Sequence, residues 1–151
     1  GYTAYKNKLL VLTSFIPATA NVDLRCTLST NGGSSYDTGA SDYRFALTGF
    51  TEGAVVPTNS SAGAAYLPIN GDGMINTAGY GCNADIVLFD TPNTALRPRI
   101  RVSSEFNNVT NGYTTKQGHG WRVVTQDTDA IRVFFSSGNI TSGTWVLYGY
   151  N

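Results

Sequence analysis

Three arginines are spaced by two residues along a segment that we predict to be a strand, Arg97 to Ser103. Because side chains alternate between the two faces of a strand, Arg97, Arg99 and Arg101 should share one face, roughly 6.6 Å apart. Such guanidinium groups could hold the carboxylates or phosphates of an anionic glycan through paired hydrogen bonds. They could equally pair with Asp or Glu across a strand or across a subunit boundary. The formal net charge of +0 favours the second interpretation.

The single histidine, His119, lies between two glycines in the segment Gln117-Gly118-His119-Gly120-Trp121. A histidine can serve as a metal ligand or as a general base. The sequence contains no serine-centred nucleophile elbow, no cysteine nucleophile motif and no second histidine at metal-binding spacing. We therefore expect His119 to be a surface-loop residue that can contact a glycan or a receptor and has no catalytic role.

The carboxylates are scattered along the chain. Asp127 and Asp129 lie two residues apart at the start of a predicted strand, where Asp is common in turns. A pair of carboxylates about 5–9 Å apart can hydrolyse a glycosidic bond, but the sequence gives no positive sign of one. Asn70-Gly71-Asp72-Gly73 is only loosely similar to a calcium loop, because the closing Glu and the other oxygen donors are missing. We expect a turn there, and no catalytic residue, metal site or cofactor in the chain.

Four tyrosines lie in or beside loops rich in Gly, Asn, Ser and Thr: Tyr36, Tyr66, Tyr80 and Tyr113. Aromatic rings flanked by amide and hydroxyl groups suit sugar rings, which need apolar contact together with hydrogen bonds. Adaptable protein-binding loops have the same composition. With His119, these tyrosines are the candidate contacts for a glycan or a receptor.

Two cysteines, Cys26 and Cys82, are too few for a disulfide scaffold. A metal site would need further ligands, and the chain has one histidine. Free cysteine is among the residue types most often buried, so we predict two small buried apolar residues. A single disulfide between them is the alternative.

The surface must be built largely from neutral polar residues. Asp, Glu, Lys and Arg make up 13% of the chain, against about 25% in an ordinary soluble domain. This composition suits extracellular or virion proteins, and it permits large subunit contacts because few charges need desolvation. The neutral balance argues against nucleic-acid binding, and no apolar run is long enough to predict a membrane span.

Short strand signals separated by turn residues recur along the whole chain, and helix signals are almost absent. We predict one domain, residues 1–151, folded as an all-β antiparallel sandwich of two sheets with eight or nine strands. A jelly roll is the first choice and another Greek-key sandwich the second. The segment Thr51 to Gly81 should be a partly structured excursion over the surface. The predicted strands are Lys8 to Ile16, Val22 to Leu28, Tyr43 to Leu47, Tyr66 to Ile69 with Met74 to Ile75, Ala84 to Phe89, Arg97 to Ser103, Gly120 to Thr125, Ala130 to Phe135 and Thr144 to Tyr150.

The last two predicted strands carry apolar residues on both faces. Phe134 lies on the face of its strand that is turned away from the main apolar face. Tyr148 and Tyr150 lie on one face of the last strand, and Trp145 lies on the other. A strand that is apolar on both faces must be covered on both faces, either by a neighbouring subunit or by the long loop of the same chain. Phe134, Tyr148 and Tyr150, with the three arginines, are therefore the candidate oligomer contacts.

The C-terminal sequence Asp129-Ala130-Ile131-Arg132-Val133-Phe134-Phe135-Ser136-Ser137-Gly138-Asn139-Ile140, followed by Ser142-Gly143-Thr144 and Leu147-Tyr148-Gly149, resembles a terminal motif of tailed-bacteriophage structural proteins of the tail-fibre, spike and head-decoration types. Ile16-Pro17-Ala18-Thr19, Asp23-Leu24-Arg25, Ser29-Thr30-Asn31-Gly32-Gly33 and Asp42-Tyr43 look like companion features. The resemblance is confined to the ends of the chain. It implies a virion protein that forms a homotrimer.

We therefore expect a non-enzymatic virion structural domain, placed on a fibre, tail or capsid surface, that associates with itself and with other virion proteins. Contact with a receptor or glycan on a host surface would be compatible with this role. A secreted carbohydrate-binding module is the first alternative, and a glycan-degrading enzyme is the second. We expect neither a nucleic-acid partner nor membrane insertion.

Overall fold

The computed structural model of the chain describes residues 5–110 and 112–151, and it describes only the backbone of residues 55–57. Within these residues the chain forms ten strands and no helix. The strands are β1 (Asn7–Pro17), β2 (Leu24–Ser29), β3 (Tyr43–Thr51), β4 (Ala54–Ala64), β5 (Leu67–Pro68), β6 (Cys82–Phe89), β7 (Arg99–Asn107), β8 (Tyr113–Arg122), β9 (Ala130–Phe135) and β10 (Ile140–Tyr150). No described segment could cross a membrane as a helix.

The strands form two antiparallel sheets, which confirms the predicted all-β sandwich. The larger sheet has seven strands in the order β10-β1-β6-β7-β8-β3-β4, and the smaller has three in the order β5-β2-β9. The chain passes between the sheets repeatedly, so that β9 and β10, which are joined by a short turn, belong to different sheets. The strand order makes β9 and β10 edge strands of their sheets, and side chains of both line one cleft, so they lie on the same side of the sandwich.

Alternating burial explains why the predicted strands form. In β3, Tyr43, Phe45 and Leu47 are buried, whereas Arg44 and Ala46 are exposed, as expected for a strand with one face in the core. The core between the sheets is formed by side chains of β1, β2, β3, β5, β6, β7 and β9, with Ile69 and Met74 added from the segment after β5. That segment covers part of the larger sheet. Its residue Met74 forms isolated antiparallel backbone bridges with Val22 and with Asn108.

Some predicted boundaries are wrong. The expected strand from Gly120 to Thr125 is the end of β8, which begins at Tyr113 and ends at Arg122. The segment from Thr51 to Gly81, expected to be a surface excursion, contains the eleven-residue β4. Arg97 precedes β7 and is not part of it. In β4 and β8 the pattern is obscured because residues at alternate positions are small or polar, whereas Arg97 is separated from β7 by Pro98.

Tyr43 ties the two sheets together. It lies on β3 of the larger sheet and is fully buried. Its hydroxyl accepts a hydrogen bond from the backbone N–H of Leu28, 2.8 Å away on β2, and donates to the carbonyl of Asp37 at 3.1 Å. Burial raises the pKa of this phenol far above its ordinary value, so the hydroxyl keeps its proton at any physiological pH.

We predict that Tyr43→Phe lowers the free energy of unfolding by about 1–3 kcal/mol, because it leaves the N–H of Leu28 and the carbonyl of Asp37 buried without a partner. Urea denaturation followed by fluorescence measures this change. Tyr80→Phe is the matched control, since Tyr80 is exposed, and it should change stability by less than about 0.5 kcal/mol. Equal stability of Y43F and the wild type would show that the hydroxyl does not tie the sheets.

Candidate binding surfaces

The outer face of the seven-stranded sheet carries a row of aromatic and cationic side chains. Phe89 of β6 is opposite Arg99 of β7, Arg99 is opposite Trp121 of β8, and Trp121 is opposite Arg44 of β3. Adjacent strands are about 4.8 Å apart, so directly opposed residues are neighbours on the face. The pairing register therefore places two arginines beside two aromatic rings that are distant in sequence.

A second row lies next to the first. Val87, Arg101, His119 and Ala46 are directly opposed on β6, β7, β8 and β3. Arg101 also reaches toward the first row, with its guanidinium carbon 5.9 Å from the centre of the Phe89 ring. His119 is exposed in strand β8, so the prediction of a histidine in a surface loop is wrong about the loop.

The rows border a concave surface. A hollow of about 260 Å³ is lined by side chains of the first row together with His119, and His119 also lines a larger adjoining hollow of about 1040 Å³. The larger hollow is lined by the uncharged polar residues Thr48, Thr58, Ser60, Ser103 and Gln117, by the charged residues Asp85 and Arg101, and by apolar side chains that include Leu9, Val87 and Tyr150. Its size is comparable to the ~300–1,000 Å³ of small-molecule sites.

The arginines on this face lack carboxylate partners in the part of the chain that the structure describes. The ion pairs found there involve two other arginines. Arg25 lies 2.6 Å from Asp23, and Arg122 lies 2.7 Å from Asp37. The predicted pairing of the arginine series across a strand is therefore not formed among the described residues. Arg99 and Arg101 do share one exposed face, as predicted, whereas Arg97 lies outside the strand.

The opposite end of the same face is acidic. Glu105 of β7 accepts hydrogen bonds from the hydroxyl of Tyr113 and from Nδ2 of Asn83, the latter at 2.9 Å. These two hydrogen bonds hold the pKa of Glu105 below its ordinary value, and the bond to Glu105 raises the pKa of Tyr113. Asp85 is exposed between the two ends. The outer face thus changes from cationic, through neutral and polar, to acidic.

β10 is the most exposed strand of the fold. Trp145 and Leu147 point to the side of Leu10 and Leu12, and Val146, Tyr148 and Tyr150 occupy the outer face. Trp145 is 65% exposed and Tyr148 is 53% exposed. The long loop of the same chain does not cover the outer face of β10. Cover by that loop, which is one of the two expectations for the last strands, is therefore wrong for β10.

An apolar cleft opens between the edge strands β9 and β10. Its volume is about 400 Å³, and it is lined mainly by Leu10, Leu12, Phe15, Ile131, Val133, Ile140, Trp145 and Leu147. Ile131, Val133 and Leu147 pack against the core while remaining partly exposed. The cleft therefore exposes the border of the core at these three residues, while Leu10, Leu12 and Phe15 behind them are buried.

The outer face of the smaller sheet is partly covered by its own chain. The guanidinium carbon of Arg132 lies 4.8 Å from the ring centres of both Tyr36 and Phe134, and that of Arg25 lies 3.8 Å above the ring of Tyr66. Phe134 is therefore half-buried beneath an arginine. Tyr36 and Tyr66 serve as stacking partners here.

The candidate tyrosines do not form one site. Tyr36 and Tyr66 lie in loops and stack on arginines of the smaller sheet, and Tyr80 is exposed in the segment before β6. Tyr113 and His119 share the outer face of β8 but are six residues apart, or about 20 Å by the rise of a strand.

The acidic segments have structural roles. Asp129 Oδ2 accepts the backbone N–H of Gly32 at 2.8 Å. In the turn from 70 to 73, Asn70 Oδ1 accepts the N–H of Leu24 at 2.8 Å, and Asp72 Oδ1 accepts the N–H of Gly73 at 2.9 Å. Among the residues described, no three His, Cys, Asp or Glu side chains lie close enough together to hold a metal ion.

Cys26 and Cys82 are free and buried. Burial raises the pKa of each thiol to about 12, so neither is a thiolate nucleophile near neutral pH. The structure agrees with the prediction of two buried apolar residues and excludes the alternative of a disulfide between them.

Sequence reasoning missed the first row and the apolar cleft. The position of Trp121 and Phe89 beside Arg99 depends on strand pairing, which a single sequence does not reveal. The doubly apolar character of β10 was visible, but its location at an edge facing β9 was not.

No protein-family model, curated protein or solved structure matches the chain. The resemblance to tailed-bacteriophage structural proteins therefore stays a prediction from the sequence.

We predict that Glu105→Gln destabilises the protein at neutral pH and that this difference shrinks in acid. A carboxyl whose pKa is lowered by folding adds stability above its unfolded pKa, ordinarily 4.5, and loses that contribution as the pH falls through the folded value. Urea denaturation at neutral pH and well below the ordinary pKa measures both differences. Asp85→Asn is the control, because Asp85 is exposed on the same face and accepts no hydrogen bond from the described residues. If E105Q lost the same free energy of unfolding at both pH values, the proposed hydrogen bonds to the Glu105 carboxylate would be contradicted.

Proposed function

We propose that the chain is a non-enzymatic structural domain of a phage-type virion, and that it associates with copies of itself through β10 and the adjoining cleft. The observation that carries the self-association is the edge of β10, which pairs with no described strand on its outer side. The virion context is supported by the resemblance of the two ends of the chain to tailed-bacteriophage proteins.

An exposed edge strand is a template for pairing, because its outer N–H and C=O groups have no partner in the sheet. Proteins usually protect such edges with charged residues, proline or a short strand. β10 has eleven residues, Ile140–Tyr150, with no charged residue and no proline among them. It therefore has the features of a strand that is covered in the functional assembly.

The cleft beside β10 supplies an apolar area that an added segment would bury. Trp and Tyr are enriched in the centres of protein interfaces, and charged residues are depleted there. Trp145 at the rim of the cleft and Tyr148 on the other face of β10 fit this composition.

A second copy of the chain is the occupant that we propose. A neutral strand meets another copy of itself without burying unpaired charge, so like surfaces can associate without a desolvation penalty for ions. Two β10 strands related by a two-fold axis would give a dimer, whereas a ring requires β10 to contact a different patch of the next copy. The nearest different patch is the edge of β9, across the cleft. We propose the homotrimer that the sequence resemblance implies.

The main rival is a monomeric carbohydrate-binding module, which the concave outer face of the larger sheet favours. A glycan-degrading enzyme is the second rival, and turnover of a polysaccharide by the purified chain would establish it.

We predict a particle three times the 16.1 kDa mass of the chain at micromolar concentration, measured by light scattering after size-exclusion chromatography. Trp145→Lys and Tyr148→Lys should each yield a monomer, because a charge placed in the interface must be desolvated. Phe50→Lys is the matched control, since Phe50 is 58% exposed on β3, far from β10 in the strand order.

A wild-type monomer at this concentration would contradict self-association. A wild-type dimer that becomes a monomer in W145K and Y148K would support the proposed β10 interface and contradict the trimer. Dissociation by F50K with none by the β10 variants would place the interface elsewhere.

A further inference from the structure

The cationic end of the outer face has the parts of a ligand site. Arg99 and Arg101 are exposed, two residues apart on β7, with no carboxylate partner among the described residues. Phe89 and Trp121 are the direct neighbours of Arg99 on either side, and a hollow of about 260 Å³ lies among these groups. Guanidinium groups offer paired hydrogen bonds to a carboxylate, and aromatic rings offer an apolar surface to a sugar ring.

The rest of the face suits a ligand rich in hydroxyl groups. Beyond His119, the hollow of about 1040 Å³ continues along hydroxyl and amide side chains that include Ser103, Gln117 and Thr48. These groups both donate and accept hydrogen bonds, and they carry no charge. A ligand that extends along the face would therefore need an anionic group at one end and neutral polar groups along the remainder.

We propose that the outer face of the seven-stranded sheet binds an acidic polysaccharide, with the carboxylate of a uronic or sialic acid residue held by Arg99 and Arg101 between Phe89 and Trp121. Neighbouring sugar residues lie along the neutral hydroxyl and amide groups. The arginine end of the site is separated from β10 by β1 and β6 in the sheet, whereas Tyr150 of β10 also lines the larger hollow.

A nucleic acid fits this face less well. Binding to a phosphate backbone relies on many cations along the path of the strand. Here the cationic groups are confined to one end, and the face becomes acidic toward Asp85 and Glu105. A continuous polyanion would be repelled at that end, whereas an oligosaccharide with spaced carboxylates would not.

The test uses the full chain and two defined probes whose carboxylates are separated by neutral sugar residues: sialyllactose and a hyaluronan oligosaccharide. Each probe is compared with its carboxyl methyl ester, which keeps the sugar rings and removes the charge. Binding is measured by titration calorimetry and by amide shifts in NMR spectra. We expect at least one acid to bind, with shifts centred on β7 and β8, and its ester to bind about tenfold more weakly or not at all.

The variant Arg99→Gln with Arg101→Gln should lose about tenfold or more in affinity, and Trp121→Ala should also weaken binding. Arg97→Gln is the matched control, because Arg97 is an exposed arginine outside the strand. Circular dichroism and thermal melting establish that each variant is folded. If Trp121→Ala does not fold, the arginine pair and its control still decide the result.

The proposal is overturned if no acid in the set binds, if an acid and its ester bind equally, or if R97Q and the double variant lose affinity equally. Arginine-dependent binding of a single-stranded oligonucleotide in place of the acidic sugars would also overturn it. The particle mass measured in the same solutions separates the two proposals. A monomer that binds an acid supports this site and contradicts the proposed self-association. A trimer that binds no acid supports self-association and contradicts this site.

Discussion

The organisation of this fold depends on a mismatch between its two sheets. A sheet of seven strands is packed against a sheet of three, so the smaller sheet cannot cover the whole inner face of the larger. The segment after β5 covers part of the difference, with Ile69 and Met74 fully buried. At the β10 edge the described residues provide no such cover, and core side chains of β1 line an open cleft.

The fold class could be predicted from the sequence because alternation is visible wherever one face of a strand is apolar. Tyr43, Phe45 and Leu47 are an example. For β9, the predicted first and last residues are the same as the observed ones. β8 was misplaced because its inner positions include Gly118 and Gly120. A Cβ atom at Gly118 would lie 2.1 Å from the carbonyl oxygen of Ala46, and one at Gly120 would lie 2.3 Å from Leu67. Close packing requires glycine there, and glycine hides the alternation.

β4 was missed for a related reason. It is the other edge of the larger sheet, and residues 58–64 include Ser60, Ser61, Ala62 and Gly63, which read as a loop. An edge strand with small, partly exposed side chains gives no contrast between its two faces. Tertiary pairing with β3, rather than local preference, makes this segment extended.

The candidate surfaces could be predicted only in part. The spacing of Arg99 and Arg101 correctly indicated a shared face, and the alternation of Trp145 and Tyr148 correctly indicated two apolar faces on the last strand. Trp121 lies beside Arg99, and Ile131 lies across the cleft from Trp145. These neighbours, which complete the candidate surfaces, are determined by the register and order of the strands. Those are set by the whole core, so a single sequence cannot supply them.

Hydrogen exchange of the backbone amides of β10 is the measurement that decides whether its free edge forms the proposed interface. In β10, the N–H groups that point away from β1 are open to water in a single copy and hydrogen-bonded in an assembly. We expect these amides to exchange slowly in concentrated solution and quickly after dilution, while the amides facing β1 remain protected in both. Exchange at the rate of loop amides at every concentration would contradict it.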